Sequence, residues 1–224
     1  MEFLAVGDIH GSAEQLRTLL TFDGLYSSRH VVFLGDFVDI GPDSREVVEL
    51  LLSFKELHHE TTFLMGNHDL GLLRYLETGD FATYASTGGI STIRSYCGEV
   101  YGDVRSRLSE RMPSSHRQFL EELAIYREDD EYLFSHAGYD PKSPTSRSRE
   151  AMIVESHPAM FQSPTLPKLA VCGHYFQSTH RPLITPKVAC VDTGCAILQG
   201  PLTGLFLPEL GAIQAWPDLT VSHI

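Results

Sequence analysis

Three apolar runs in the first third of the chain each end in a glycine that precedes side chains able to bind metal ions. The runs are residues 2–6, 31–34 and 61–65. Short apolar runs ended by glycine predict buried β-strands, and open α/β sheets build their sites at the C-terminal edge of such strands. The polar side chains after these glycines are Asp8, His10, Asp36, Asp39, Asn67, His68 and Asp69.

Two later runs end in the same way. Residues 132–134 precede Ser135-His136, and residues 169–172 precede Gly173-His174. We therefore expect one cluster of two carboxylates, three imidazoles and one amide oxygen. Such a set suits two divalent transition-metal ions, with manganese favoured and iron or zinc as alternatives, better than it suits calcium. The predicted ligands are Asp8, His10, Asp36, Asn67, His136 and His174.

This ligand set indicates phosphoester hydrolysis. If Asp36 bridges two ions ~3.5–4 Å apart, a hydroxide held between them can attack phosphorus while the ions polarise a phosphoryl oxygen. We predict that His68 is the general acid for the leaving group and that Asp39 orients it. Direct attack of this kind needs no covalent phosphoenzyme.

Each motif also has a structural explanation when taken alone. A Gly-Asp or Gly-His pair after a strand is usually a turn, and His10 or Asp69 could begin a helix. A lone His136 would more often be a core histidine. The coincidence of five such strand ends favours a dinuclear centre. Outside it, we expect surface or loop positions for His30, His58, His59, His116, His157, His180 and His223.

Strands alternate with helical patterns in the first half of the chain, which predicts a largely parallel sheet. Ser12 and Gln15 form a plausible capping box for the first helix. Further helices are expected after Pro42, from about His68, and from Pro113. Between them, residues 79–111 lose the helical period, and we predict an inserted, partly helical cap over the site.

The second half changes character. Residues 141–167 are rich in serine, proline and arginine and predict a long loop with a short helix near 149–155. The following apolar runs are short and separated by glycine or proline, which suggests a β-meander that forms a second sheet. These runs are residues 188–191, 196–198, 202–207 and 212–216.

Composition limits the class of protein. A length of 224 residues with 42% hydrophobic and 21% charged residues predicts one globular domain over 1–224. No apolar run could cross a bilayer and no signal peptide is evident, so we expect a cytoplasmic protein without membrane contacts. Four cysteines without CxxC spacing indicate reduced thiols. A net charge of −12 argues against nucleic-acid binding.

In order and spacing, the five motifs resemble those of phosphoprotein-phosphatase-type metallophosphoesterases. Gly88-Gly89 and Val191-Asp192-Thr193-Gly194 look like the bacterial branch, which includes serine/threonine protein phosphatases and symmetrical diadenosine tetraphosphatases. The resemblance covers nearly the whole chain. It implies a four-layer α/β/β/α sandwich of two mixed sheets, and it gives the predicted ligands, His68 and Asp39 the roles assigned above.

Two positions depart from the family pattern. Ile40 and Glu155 stand where the family usually has phosphate-binding arginines. Loss of a bidentate guanidinium removes a charge-assisted clamp. Arg147 and Arg149, or Arg94 from the cap, could supply the missing charge, although each taken alone is more often a solvated surface residue. Asn67 is predicted to contact substrate as well as metal.

The substrate prediction follows from these features. We expect a hydrolase of phosphomonoesters, including phosphoserine and phosphothreonine proteins. The leading alternative is a nucleotide pyrophosphate, such as a dinucleoside polyphosphate. A phosphodiester is a further alternative, because a less charged phosphate needs fewer arginines. A metal-loaded, weakly catalytic binding or regulatory module is the alternative from another class.

Overall fold

Two mixed β-sheets form the centre of the molecule. The structure, a computed structural model, describes residues 2–23, 25 and 30–224. The first sheet has the strand order β11-β10-β9-β1-β2-β3 and the second has the order β4-β5-β6-β8-β7. The strands are β1 (Phe3–Val6), β2 (His30–Phe33), β3 (Thr61–Phe63), β4 (Tyr126–Glu128), β5 (Tyr132–Ser135), β6 (Leu169–Cys172), β7 (Leu183–Ile184), β8 (Val188–Cys190), β9 (Leu202–Leu207), β10 (Ala212–Ala215) and β11 (Val221–His223).

The strands that precede the predicted ligands are parallel. β1 pairs with β2 and β2 with β3, while β5 pairs with β6 and β6 with β8, all in parallel. The C-terminal ends of β1, β2 and β3 therefore lie at one edge of the first sheet, and those of β5 and β6 at one edge of the second. The predicted parallel arrangement is confirmed.

Alternate residues of each central strand face different layers. Phe3 and Ala5 of β1 pack with Phe134 of β5 in the core between the sheets. Leu4 and Val6 belong to the larger core that includes the helices. Both faces of β1 are thus buried, which explains why the run 3–6 is apolar throughout. This packing gives the four-layer α/β/β/α sandwich expected from the sequence.

Helices cover the outer faces of the sheets. They are α1 (Ala13–Leu20), α2 (Ser44–Leu57), α3 (Asn67–Thr78), α4 (Phe81–Ser86), α5 (Gly89–Cys97), α6 (Val104–Arg111), α7 (Ser114–Glu121), a π-helical turn (Glu150–Val154) and α8 (Ala159–Gln162). Segment 79–111 is indeed partly helical, and the short helix predicted near 149–155 is the π-helical turn. The short helix α8 was not predicted.

The predicted capping box at α1 is wrong. Ser12 is the N-cap residue, but its side chain makes no capping hydrogen bond. The Gln15 side chain is buried and donates through Nε2 to the carbonyl oxygens of Gly200 (3.0 Å) and Ala215 (3.2 Å). A buried amide must satisfy its donors, and these two carbonyls, distant in sequence, do so.

The predicted C-terminal meander is only partly correct. Residues 202–207 and 212–215 are strands, but they extend the first sheet instead of forming the second, because β9 pairs antiparallel with β1. β2 occupies only one edge of β1, so the other edge has free backbone groups that β9 satisfies. Residues 196–198 form a turn and not a strand. None of the helices in the described part of the chain is long and apolar enough to span a bilayer.

Candidate active site

The predicted ligands come together at the C-terminal edges of the two sheets. Asp36, which follows β2, lies at the centre of the cluster. Its Oδ2 atom is 3.2 Å from His136 Nε2 and 3.6 Å from His10 Nε2. Asp8 Oδ2 lies 4.0 Å from His10 Nε2. Four of the predicted side chains, from three strand ends, therefore converge around one carboxylate.

Asn67 joins the remaining side chains to this group. Its Oδ1 atom lies 3.0 Å from His136 Nε2 and 2.9 Å from His174 Nδ1. The backbone N–H of His174 donates to Asp8 Oδ2 at 3.1 Å. All six predicted ligands are therefore in one cluster that spans the gap between the two sheets.

Backbone carbonyls orient two of the imidazole rings. His136 Nδ1 lies 3.0 Å from the Leu34 carbonyl oxygen, and His10 Nδ1 lies 3.3 Å from the Val38 carbonyl oxygen. These contacts assign the proton to Nδ1 and leave Nε2 free to face the cluster. A hydrogen bond of this kind is the usual support of a metal-binding histidine. Burial lowers the pKa of His10 and of His174 to about 4, so both rings are neutral at pH 7.

The backbone of the site is unusually constrained. His10, Asp36, Asp39 and His174 all have φ between 47° and 70°, in the left-handed region that non-glycine residues rarely adopt. Such residues cluster at functional sites, where the surrounding structure holds them.

Two glycines leave space for the carboxylates. A Cβ atom on Gly173 would lie 2.0 Å from Asp8 Oδ1, and one on Gly66 would lie 2.0 Å from Asp36 Oδ1. No larger residue fits at either position without displacing a carboxylate. The glycines that end these strands are therefore required by the site itself.

His68 and Asp39 form the pair predicted from the sequence. His68 Nδ1 lies 3.1 Å from Asp39 Oδ2. Asp39 is fully buried, and its Oδ1 atom accepts hydrogen bonds of 2.6 Å from Tyr84 and from Thr92. Burial alone would lower the pKa of His68, but Asp36 and the hydrogen-bonded Asp39 raise it to about 9. The imidazole of His68 is therefore in its protonated, positively charged form at neutral pH.

Three residues that support the site were not among the predicted site residues. Asp69 is buried and accepts three backbone N–H groups, those of Asp36, Phe37 and Gly66, each at 2.9 Å. It ties the loop after β2 to the start of α3. Tyr84 and Thr92 come from the segment that we expected to cover the site. The position of Asp69 at the start of a helix was visible in the sequence, but its contacts across the fold were not.

The donor set fits divalent cations. Asp8 and Asp192 are buried beside each other, and Asp192 Oδ2 has no hydrogen-bond partner in the described part of the chain. Burial and the nearby charges of Asp192 and Asp36 raise the pKa of Asp8. Within residues 2–23, 25 and 30–224, no lysine or arginine side chain pairs with these carboxylates. A bound cation would supply the positive charge that neutralises these buried carboxylates.

Two sets of three ligand atoms are compact enough to hold an ion. One comes from Asp8, Asp36 and His136, and the other from His10, Asp36 and His68; within each set the atoms lie within 4.8 Å of one another. Asp36 is common to both, as expected of a bridging ligand. The second set includes His68, so its geometry permits either a metal ligand or a general acid.

Among the described residues, no hydrogen bond or ion pair joins Arg147 or Arg149 to the ligand cluster. Arg147 forms a two-pronged ion pair with Glu128, in which its Nε and Nη2 atoms each donate at 2.8 Å. Its Nη1 atom donates to two backbone carbonyls. The guanidinium of Arg147 is therefore engaged within the protein on all three nitrogens. Arg149 is exposed, and no hydrogen bond or ion pair engages its guanidinium among the described residues.

Two histidines expected at the surface are buried instead. His116 lies 3.1 Å from Glu49 through Nε2 and 2.8 Å from the Tyr96 hydroxyl through Nδ1. His30 lies 2.9 Å from Thr62 Oγ1. Each is packed in the fold with polar partners, which makes its burial tolerable. The predicted surface positions were wrong because the side chains that hydrogen-bond these two rings are distant in sequence, and the residues next to each histidine give no sign of them.

Comparison with known proteins agrees with this architecture. Over 143 residues, the chain is 30% identical to the symmetrical bis(5'-nucleosyl)-tetraphosphatase of Nitrosomonas europaea, covering 63% of this chain and 46% of that relative. The match thus spans less than half of the relative's length.

Two solved structures share the fold. One, described as a candidate diadenosine tetraphosphatase, is 22% identical with a TM-score of 0.61, over 100% of this chain and 92% of that one. The other is a cold-active protein-tyrosine phosphatase of a psychrophilic Shewanella species, 19% identical with a TM-score of 0.61, over 99% of this chain and 80% of that one. A profile described as calcineurin-like phosphoesterase matches residues 1–182. The chain belongs to the calcineurin-like phosphoesterase family.

Proposed function

We propose that this protein is a metal-dependent phosphoester hydrolase. The observation that supports the proposal is the position of the His68–Asp39 pair beside a buried cluster of metal ligands. A purely structural or binding cluster would have no need of a protonated imidazole held in a fixed orientation next to it.

The proposed ligands are Asp8, His10, Asp36, Asn67, His136 and His174, and we expect them to hold two divalent ions, with manganese favoured and iron or zinc as alternatives. When bound, the ions would activate water and polarise the phosphoryl group. The residues of this chain would then bind and orient the phosphate and transfer one proton.

We assign that proton to His68. Asp39 Oδ2 holds Nδ1, which leaves Nε2 to protonate the leaving oxygen. The hydrogen bonds from Tyr84 and Thr92 to the other Asp39 oxygen fix the carboxylate in turn. Both come from segment 79–111, which supports its proposed role as a cap within a single domain over residues 1–224. The cytoplasmic location also stays a prediction.

Two substrate classes fit this site. Phosphomonoesters, including phosphoserine and phosphothreonine proteins, are the first. The second is a nucleotide pyrophosphate such as a dinucleoside polyphosphate, which is favoured by the 30% identical relative that is named as a tetraphosphatase. Of the arginines considered from the sequence, Arg94 and Arg149 are exposed and stay candidates for phosphate binding, whereas Arg147 is engaged by Glu128.

The test separates the two possible roles of His68. We expect His68→Asn to keep the metal content of the wild type and to lower the manganese-supported turnover of para-nitrophenyl phosphate by ~10²–10⁴-fold, as for loss of a general acid. Metal content is measured by elemental mass spectrometry on the same samples. His59→Asn, at an exposed position, is the matched control.

The outcomes are distinct. If His68→Asn loses metal together with activity, His68 is a ligand and the proposed acid is wrong. If turnover is unchanged, His68 has neither role. If the wild type turns over neither this ester, its diester, a phosphopeptide nor a dinucleoside tetraphosphate, the protein is a metal-loaded binding module instead.

A further inference from the structure

A cavity opens beside the loops that hold His10 and Asp39. It has a volume of about 570 Å³, and its walls include Ser12, Ile40, Pro42, Trp216 and Asp218. Gly41, also in its wall, donates its N–H to the His10 carbonyl oxygen at 2.9 Å. The cavity, here named the Trp216 cavity, is therefore built on the same two loops as the ligand cluster. Its volume is in the range of small-molecule sites.

The apolar part of the Trp216 cavity includes an aromatic ring that two contacts hold in place. The Trp216 indole is held by a 3.0 Å hydrogen bond from Nε1 to Ser222 Oγ and by an edge-to-face contact with His180, with ring centroids 5.8 Å apart. Ile40, Pro42 and Pro217 supply further apolar surface. A fixed aromatic ring among prolines suits the face of a planar ligand, and stacking of a nucleic-acid base on such a ring is worth ~1–3 kcal/mol.

The polar part of the cavity accepts hydrogen bonds. Among the described residues that line it, Asp218 is the one carboxylate and none is a lysine or arginine. Asp218 Oδ1 accepts from the Thr220 N–H and hydroxyl, which hold the carboxylate in place. Hydrogen bonding to Thr220 lowers the pKa of Asp218, so it is ionised at neutral pH. A phosphate would be repelled here, whereas a neutral ring with amino donors would be attracted.

Ile40 connects the cavity with the site. It directly follows Asp39, its N–H donates to the Gly88 carbonyl oxygen at 3.3 Å, and its φ is 66°. This conformation is costly for a β-branched side chain. Here it places Ile40 in the cavity wall, immediately after the residue that holds His68. A ligand in the cavity would thus contact the loop of the proposed acid pair.

We propose that the Trp216 cavity binds the purine base of a nucleotide substrate whose phosphate lies at the ligand cluster. The inference rests on the proposed hydrolase function and makes it more specific, because it favours nucleotides over phosphoproteins. Stacking on Trp216 and hydrogen bonds from the purine amino group to Asp218 would recognise the base, while the ligand cluster would bind the phosphate.

The first test needs no catalysis. Trp216 is the only tryptophan of the chain, so its fluorescence, excited at 295 nm, reports on this cavity alone. We titrate the manganese-loaded protein with adenosine, which has no phosphate to hydrolyse, and with ribose as the matched probe without a base. Adenosine should quench the fluorescence saturably and ribose should not. No quenching, or equal effects of both, would overturn the proposal.

Two variants locate the binding. Ile40→Asn removes apolar surface with a residue that tolerates positive φ, and Asp218→Lys reverses the charge at an exposed position. Each should weaken adenosine binding by about 5-fold or more, the lower end of what one stacking or polar contact contributes. Arg74→Ala, which lies in a different cavity beside His68, is the control and should bind adenosine like the wild type. Unchanged affinity in both cavity variants would contradict the assignment.

A kinetic comparison separates this inference from the hydrolase proposal. In the same cavity variants, the kcat/KM for a dinucleoside tetraphosphate should fall by about 5-fold or more relative to that for para-nitrophenyl phosphate. An unchanged ratio would overturn the cavity as a substrate subsite while the hydrolase proposal stands. Adenosine binding without any His68-dependent hydrolysis would leave a nucleoside site and overturn the hydrolase proposal.

Discussion

At the scale of single residues, the site depends on its glycines, which carry no side chain, as much as on the ligand side chains. Gly66 and Gly173 leave room for the carboxylates of Asp36 and Asp8. Gly71, in the middle of α3, is different: a Cβ there would meet nothing within 4 Å. Substitution by alanine is therefore expected to disturb the site at Gly66 and Gly173 but not at Gly71.

We expect Gly173→Ala to lower metal affinity by at least tenfold, because the new methyl group would occupy the position of Asp8 Oδ1. Isothermal titration of the metal-free protein with Mn²⁺ measures this effect. Gly71→Ala is the matched control, with unchanged metal affinity and a free energy of unfolding raised by about 0.5–1 kcal/mol. Wild-type affinity in Gly173→Ala would mean that Asp8 is not held as the structure shows.

Glu128 offers a prediction for pH. It lies on β4 and pairs with Arg147 and with Lys168 Nζ at 2.9 Å. Hydrogen bonds from these two cations lower the pKa of Glu128 to about 2. A carboxylate with a lowered folded-state pKa stabilises the protein above its unfolded-state pKa of ~4.3, and this stabilisation disappears as the pH falls towards 2.

The variant Glu128→Gln should therefore have a free energy of unfolding lower than that of the wild type by about 1–2 kcal/mol at pH 7, after allowance for partial solvent screening. The difference should shrink progressively between pH 5 and pH 2. Urea unfolding of both proteins over this range measures it. A difference that is independent of pH would show that packing, and not the ion pair, is responsible.

At the scale of secondary-structure elements, β9 is the least expected contributor. It pairs with β1 in register from Phe3 and Leu207 to Val6 and Gly204, and so closes the free edge of the strand that leads to Asp8. Leu205 and Leu207 of β9 belong to the core between the sheets. The last strands of the chain thus support the first ligand loop.

Truncation of β9 in this core should be costly. We expect Leu205→Ala, at a fully buried position, to lower the free energy of unfolding by about 2–5 kcal/mol through lost burial and the cavity left behind. Leu183→Ala, on the exposed strand β7, should change it by less than about 0.5 kcal/mol. Chemical denaturation gives both values, and similar effects of the two substitutions would argue against the observed pairing.

At the scale of the whole molecule, the ligand cluster joins two sheets. Asp8, His10 and Asp36 follow strands of the first sheet, whereas His136 and His174 follow strands of the second. A cation held by both groups would bind the folded chain and not the unfolded one, because the ligands meet only across the sandwich. The stability of the fold should therefore depend on metal.

Chelation tests this dependence. Ions present at about 100 times their dissociation constant stabilise the folded state by ~2.7 kcal/mol, which corresponds to a change in melting temperature of about 5–10 °C for a chain of this size. We expect EDTA to lower the melting temperature by this amount and added Mn²⁺ to restore it, as followed by circular dichroism. Asp36→Asn, which removes the carboxylate shared by both ligand sets, should not respond to Mn²⁺. A wild-type melting temperature insensitive to EDTA would contradict the proposed centre.

Local sequence was sufficient for much of this molecule. The order of strands and helices in the first half of the chain, the glycine-ended strands and the cluster of ligand types follow from period, turn residues and the chemistry of side chains. Parallel strands align their C-terminal ends, so Asp8, Asp36 and Asn67 had to lie at one edge. The His68–Asp39 contact also follows from two adjacent strand ends.

Only the tertiary structure decided which distant groups meet. The partner of Arg147 is Glu128, β9 closes the edge of β1, and Tyr84 and Thr92 reach Asp39 from another segment. In each case a buried or charged group had several possible partners in the sequence. The choice among them depends on which arrangement satisfies all edges, charges and buried volumes at once, and this competition leaves no periodic pattern along the chain.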